Sequence, residues 1–221
     1  CKKIKENLTL IATQKCYKIF GTIKRKIVVQ MIDNIRIHPQ KEQKYVRPVT
    51  ISYTKNGEER TWEAVKSFDS VAVLLYHTTK DSFLLVKQFR PAILLNEAKT
   101  IKDSYTYELC AGICDKEISL TQTAAEEIDE ECGFCVEPSK IELITSFHTC
   151  VGFSGSYQTL FYAEIDDSMM IHSGGGDHTE DIELVYLPTK EAKEFVLDSK
   201  KPKTPGLGLA FYWWFHTKGD R

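Results

Sequence analysis

Residues 112–134 read Gly112-Ile113-Cys114-Asp115-Lys116-Glu117-Ile118-Ser119-Leu120-Thr121-Gln122-Thr123-Ala124-Ala125-Glu126-Glu127-Ile128-Asp129-Glu130-Glu131-Cys132-Gly133-Phe134. From Ser119 the period is helical. Ser119 with Gln122 three residues on makes a capping box, Leu120, Ala124, Ile128 and Cys132 form one i, i+4 apolar stripe, and Gly133 supplies the C-terminal stop. The second half of the helix carries five acids in the six positions from Glu126 to Glu131. Like charges at i, i+3 and i+4 destabilise an isolated helix by about 0.2–0.5 kcal/mol per pair, and the helix dipole disfavours anions at this end. A sequence that accepts both penalties points to a compensating cation. Glu127, Glu130 and Glu131 are spaced to project from one face at the edge of the apolar stripe, and hard oxygen donors grouped this way suit Mg²⁺ or Mn²⁺. A solvated acidic face is the plain alternative.

Upstream, Val49–Tyr53 and Thr61–Ser67 flank an Asn56-Gly57 pair, a strong hairpin signal, and Ser70–His77 with Ser82–Phe89 reads as a second, more apolar hairpin. The stretch from Leu95 to Ser104 is polar and irregular, and Tyr105–Ala111 reads as one strand running into Gly112. Downstream come strands near Ile141–Phe147, Thr159–Ile165 and Glu183–Leu187, with a loop containing Gly174-Gly175-Gly176 before the last of them. Helices are predicted over Thr189–Leu197 and Leu207–His216, the latter reading Tyr212, Trp213 and Trp214 as packing residues. Mixed strands with few helices indicate an α+β domain.

The chain has 221 residues, with 29 Lys+Arg against 31 Asp+Glu. Residues 1–30 hold eight basic residues and one acid, net +7, which leaves a body of net −9 over residues 31–221. An acidic body argues against a nucleic-acid partner, since phosphate neutralisation needs a basic face. No stretch approaches the roughly 18 apolar residues that would span a bilayer. Seven cysteines without a secretory signal read as reduced thiols in an intracellular, cytoplasmic setting. The basic segment 1–30 ends just before Met31, the first methionine, and has seven Lys, one Arg and no Ser. Targeting sequence, basic arm and extraneous or disordered sequence compete for it, and the low Arg and Ser content weighs against a transit peptide.

The order Gly112, Glu127, Ile128, Glu130, Glu131, Gly133, Phe134 resembles the Nudix box, the strand–loop–helix signature of hydrolases that split nucleoside diphosphates linked to another moiety. Two positions depart from it: Ile118 stands where the first Glu is expected, and Glu126 holds the Arg position. The flanks Tyr45-Val46-Arg47-Pro48, Gln88-Phe89-Arg90-Pro91, Glu108-Leu109-Cys110-Ala111-Gly112 and Ser154-Gly155 with Gln158-Thr159 resemble the subgroup of ADP-ribose and UDP-sugar pyrophosphatases, and the likeness runs from about Met31 to the C-terminus.

The resemblance implies a mixed β-sheet between helices as a Nudix domain over 67–221, and a β-rich N-terminal arm over 31–66 that pairs two subunits into a homodimer. It implies hydrolysis of nucleoside diphosphate sugars, UDP-glucose or ADP-ribose, to nucleoside monophosphate and sugar phosphate. Glu127, Glu130 and Glu131 with the Ala111 carbonyl would hold Mg²⁺ or Mn²⁺, and Glu180 in the distal loop would add a ligand. His178 or Asp177 would act as base. Arg90, Arg47, Glu108 and Trp62 would contact substrate; the alternatives are an ordinary surface ion pair for Arg47, and less so for Arg90, and a packing role for Trp62. The missing box Arg keeps open a Nudix-fold protein that binds nucleotide sugars without cutting them. The spacing of Cys110, Cys114, Cys132 and Cys135 imitates a zinc site, against which Cys110 and Cys132 are placed as core thiols.

Overall fold

The computed structural model describes residues 45–95, 101–176 and 181–219. The basic segment, Met31, and the loop positions Asp177, His178 and Glu180 lie outside the described residues.

Asn56 and Gly57 carry φ angles of 55° and 82°, the left-handed pair that a two-residue hairpin turn demands. They join β1 (Arg47–Lys55) to β2 (Glu58–Lys66) in unbroken register, as predicted. This hairpin is a sheet of its own. It is tied to the loop before β8 (Tyr157–Ile165) by the Val65 N–H on the Phe153 carbonyl at 2.7 Å and the Trp62 indole N–H on the Gly152 carbonyl at 2.9 Å. Val49, Ile51, Tyr53 and Trp62 share one face of the hairpin and are 43–52 % exposed.

The second hairpin also forms, from β3 (Ser70–His77) and β4 (Ser82–Phe89). Both strands are covered on both faces, which is why their apolar residues run on without alternation. They pair only where Leu75–His77 meets Ser82–Leu84 and then diverge. The stretch expected as one strand fills this wedge and splits: β5 (Tyr105–Glu108) pairs with β4, and β6 (Cys110–Ile113) pairs with β3. A single straight strand cannot follow two diverging partners, so the chain breaks step at Leu109. Short 3₁₀ turns follow β4 at Pro91–Leu95 and Ile101–Ser104, the second a correction to the irregular loop expected over 95–104. Pro91, with φ preset near the helical value, starts the first.

β8 runs parallel to β3 and antiparallel to β7 (Glu142–His148), and β9 (Ile182–Pro188) covers the other edge of β4. The large sheet has the order β5-β4-β3-β8-β7, with β6 also against β3 and β9 against β4. On one face Val71, Val73, Leu75 and Val86 pack with Ala124, Ile128, Cys132 and Phe134 of the acidic segment. On the other, Ala72, Leu74, Phe83 and Leu85 pack with Leu207, Ala210, Phe211 and Trp214 of α3 (Pro205–Thr217), which closes the chain after α2 (Thr189–Leu197). A mixed sheet between helices is the α+β arrangement expected. Tyr212 does not join the core: it is 61 % exposed while Trp214 is 6 % exposed. Among the described residues no helix is long and apolar enough to cross a membrane.

At the end of β3, His77 is fully buried, its Nε2 2.7 Å from the Lys80 ammonium. Burial first, then the Lys80 charge, lower its pKa below the ordinary value, against the opposing pull of Asp167. The folded state therefore keeps His77 neutral where the unfolded chain takes up a proton, below about pH 6.5. Stability is expected to fall as pH drops through that value. Replacing His77 by Gln should flatten this acid slope in urea unfolding measured from pH 7.5 to 5; an unchanged slope would assign it elsewhere.

Candidate functional site

The capping box forms as read: Ser119 Oγ accepts from the Gln122 N–H at 3.2 Å, and Gln122 Oε1 accepts from the Ser119 N–H at 3.0 Å. Gly133 closes the segment with φ 78°. Between these ends the helix departs from expectation. α1 covers only Leu120–Glu127, and Ile128–Cys132 form a π-helical turn. Leu120, expected at the head of the apolar stripe, is 43 % exposed, whereas Ala124, Ile128 and Cys132 are fully buried. Cover from the sheet begins only at Thr123 and Ala124.

The three glutamates do not share one surface. Glu131 is buried, and its Oε2 accepts the Ala111 N–H at 3.0 Å. Glu127 is half-buried, and its carboxylate occupies the space above Gly112: a Cβ there would sit 1.8 Å from Glu127 Oε1. Glu130 is exposed. A turn closed by i→i+5 bonds holds one residue more than a regular turn, which carries Glu131 inward to the strand and leaves Glu130 outside. Only a residue without a side chain at position 112 lets the Glu127 carboxylate lie against β6. At the position where an Arg was expected, Glu126 accepts from Lys116 Nζ at 2.5 Å.

Glu108 lies opposite Val86 in the β4–β5 register, hence on the face of the sheet that carries the acidic segment. It is buried and accepts the Arg90 fork through two bonds, Nε to Oε1 at 2.8 Å and Nη2 to Oε2 at 2.6 Å, with Thr106 Oγ1 also donating to Oε1. Arg90 is thus oriented by Glu108 through a charge-assisted, two-pronged contact. Arg47 and Trp62 stand on the separate hairpin, both exposed.

Among the described residues no three His, Cys, Asp or Glu side chains converge tightly enough to cage an ion. What the fold brings together is Glu127 and Glu131 at the Ala111–Gly112 segment, with Glu130 alongside in the same turn. Carboxylate oxygens and a strand carbonyl are donors that fit a hard divalent cation. The cysteines make a poorer ligand set. Cys110 and Cys132 are core residues, and burial, with Cys132 and Glu131 adjacent, pushes the Cys110 thiol well above its ordinary pKa. Cys114 is half-buried and also raised, chiefly by burial, while Cys135 is exposed.

Two contacts escaped the sequence reading. The His172 ring meets Asp129 Oδ1 at 2.8 Å, and the glycine run places Gly175 and Gly176 N–H groups on the Glu131 and Glu130 carbonyls. The Gly174-Gly175-Gly176 run was the only local signal for them.

The chain is 34 % identical over 212 residues to the uridine diphosphate glucose pyrophosphatase of Bos taurus, spanning 85 % of this chain and 96 % of that protein. It is 32 % identical to the Mus musculus protein of the same name over the same extent. It is also 32 % identical over 154 residues to the GDP-mannose pyrophosphatase of Cronobacter sakazakii, spanning 68 % of this chain and 78 % of that protein. No protein-family profile matches the chain.

Replacing Glu131 by Ala would leave the half-buried Ala111 N–H without this acceptor. The expected cost is about 1–3 kcal/mol in urea unfolding. Glu130→Ala, at an exposed position, should stay within about 0.5 kcal/mol. Equal effects would show that Glu131 is not held as described.

Proposed function

Because this chain belongs to the Nudix hydrolase family, we propose that it hydrolyses the diphosphate bond of nucleoside diphosphate sugars in a metal-dependent reaction. UDP-glucose and ADP-ribose are the proposed substrates, and nucleoside monophosphate and sugar phosphate the products. The observation that carries this reading is the meeting of Glu127 and Glu131 at the Ala111–Gly112 segment, beside a buried Glu108 that orients Arg90. The relatives named for UDP-glucose and GDP-mannose pyrophosphatase activity support the substrate class.

In this reading Glu127 and Glu131 would hold Mg²⁺ or Mn²⁺ with the Ala111 carbonyl, with Glu130 and Glu180 as further ligands. Divalent ions held there would supply charge neutralisation at the phosphoryl oxygens and a more acidic water. Burial of Glu131 keeps its carboxylate from competing water, and the Ala111 N–H fixes its orientation. His178 or Asp177 takes the proton of the attacking water. Arg90, held in place by Glu108, binds phosphate through its planar guanidinium, while Arg47 and Trp62 contact the substrate from the hairpin.

A homodimer belongs to the same proposal, with a second copy covering the apolar face of Val49, Ile51, Tyr53 and Trp62. Free thiols at Cys110 and Cys132 support a cytoplasmic setting. One observation favours a second reading, a nucleotide-sugar binder with weak catalysis: Glu126 pairs with Lys116 instead of orienting a ligand glutamate.

Phosphorus NMR of UDP-glucose incubated with the protein and Mg²⁺ decides between them. UMP and glucose phosphate should appear, and Glu131→Gln should slow their release at least about 100-fold. Binding without turnover would favour the second reading, and undiminished turnover by Glu131→Gln would overturn the site. In sedimentation velocity the protein should run as a dimer, and Ile51→Asp should shift it to monomer.

A further inference from the structure

A helix leaves its last carbonyls without partners in the helix, and here two of those carbonyls belong to the proposed ligands. The Glu131 carbonyl accepts the Gly175 N–H at 2.8 Å and the Glu130 carbonyl accepts the Gly176 N–H at 3.1 Å. The backbone that presents both carboxylates is therefore capped by a segment some forty residues further along the chain. Contact is close on both sides. A Cβ on Gly174, at φ +64°, would lie 2.5 Å from the Glu131 carbonyl oxygen, and a Cβ on Gly133, at φ +78°, would lie 2.2 Å from the His172 carbonyl oxygen. The Gly133 carbonyl in turn accepts the Ile171 N–H at 2.8 Å.

His172 ties the two sides together. Its Nδ1 accepts the Gly174 N–H at 3.0 Å, and its Nε2 lies 2.8 Å from Asp129 Oδ1. With Nδ1 serving as an acceptor, Nε2 carries the ring proton and donates it to Asp129. One imidazole thus bridges the glycine segment and Asp129 of the π-helical turn, between Glu127 and Glu130.

We propose that His172 is a positioning residue for the metal site: by clamping Gly174–Gly176 onto the π-helical turn it fixes the backbone from which Glu130 and Glu131 reach the ion. The proposal rests on the metal-dependent reading above. It separates from a merely stabilising contact because its effect falls on ion affinity.

Calorimetric titration of the full chain with Mn²⁺ alone tests it, together with the Mn²⁺ concentration needed for half-maximal turnover. His172→Ala is expected to bind Mn²⁺ about 10-fold more weakly, the scale found when a group orienting a metal ligand is lost. Its KM for UDP-glucose at saturating Mn²⁺ should stay within about twofold of the parent. Gly174→Ala should share the defect, because its Cβ would push against the Glu131 carbonyl. His172→Gln, which keeps a donor for Asp129, should recover part of the affinity. If His172→Ala and Gly174→Ala both bind Mn²⁺ as the parent does while Glu131→Gln does not, the positioning role is overturned and the metal site stands. If Glu131→Gln binds Mn²⁺ as tightly as the parent, the metal reading falls, and the proposal with it.

Discussion

Two carboxylates held against the backbone of one short strand set the terms for the rest of the structure. Glu131 lies buried on the Ala111 N–H, and Glu127 lies over the bare Cα of Gly112. Taking a carboxylate out of water is costly unless hydrogen bonds or charges compensate it. The compensation must come from elements distant in sequence, and the fold assembles them. β6 offers an N–H and a missing side chain, and the π-helical turn aims Glu131 inward. The glycine segment after β8 caps the carbonyls that the turn leaves open.

The wedge between β3 and β4 makes that assembly possible. Had the two strands stayed paired along their full length, the chain from Tyr105 to Ile113 would have had no place inside the sheet. Their divergence lets β5 and β6 enter, each on its own partner, and the break at Leu109 puts Glu108 and the Ala111–Gly112 segment side by side in the opening. Apolar packing holds the wedge from both faces, by Ala124, Ile128 and Cys132 on one and by α3 on the other. The geometry of the candidate site is thus a by-product of how a diverging hairpin is filled.

What could be read directly was what depends on near neighbours. The Asn56-Gly57 turn, the capping box of Ser119 and Gln122, the stop at Gly133 and the span of α2 all follow from steric and hydrogen-bonding preferences within a few residues. The apolar runs of β3 and β4 announced burial on both faces. The family pattern picked out Glu127, Glu130, Glu131, Arg90 and Glu108, and the fold sets Glu127 and Glu131 against β6 and Arg90 on Glu108. The helical period did not foretell that Glu130 and Glu131, adjacent in sequence, differ so sharply in exposure, because a π-helical turn arises from packing and leaves no distinct mark in composition. Nor did it foretell that Leu120 stays outside, since cover by the sheet begins a residue triplet later.

By itself, then, the sequence determined most of the strands, the Asn56-Gly57 turn, the two ends of the acidic segment and the family to which its box and flanks belong, because each rests on local stereochemistry or on a pattern of residue types. Only the tertiary structure decided which carboxylate is buried, that the Arg90 fork lies on Glu108, and that His172 joins a glycine segment to the acidic turn. Those contacts link residues 18 and 43 positions apart for Arg90–Glu108 and His172–Asp129. They are set by how the sheet's two faces are filled, and local preference carries no information about them.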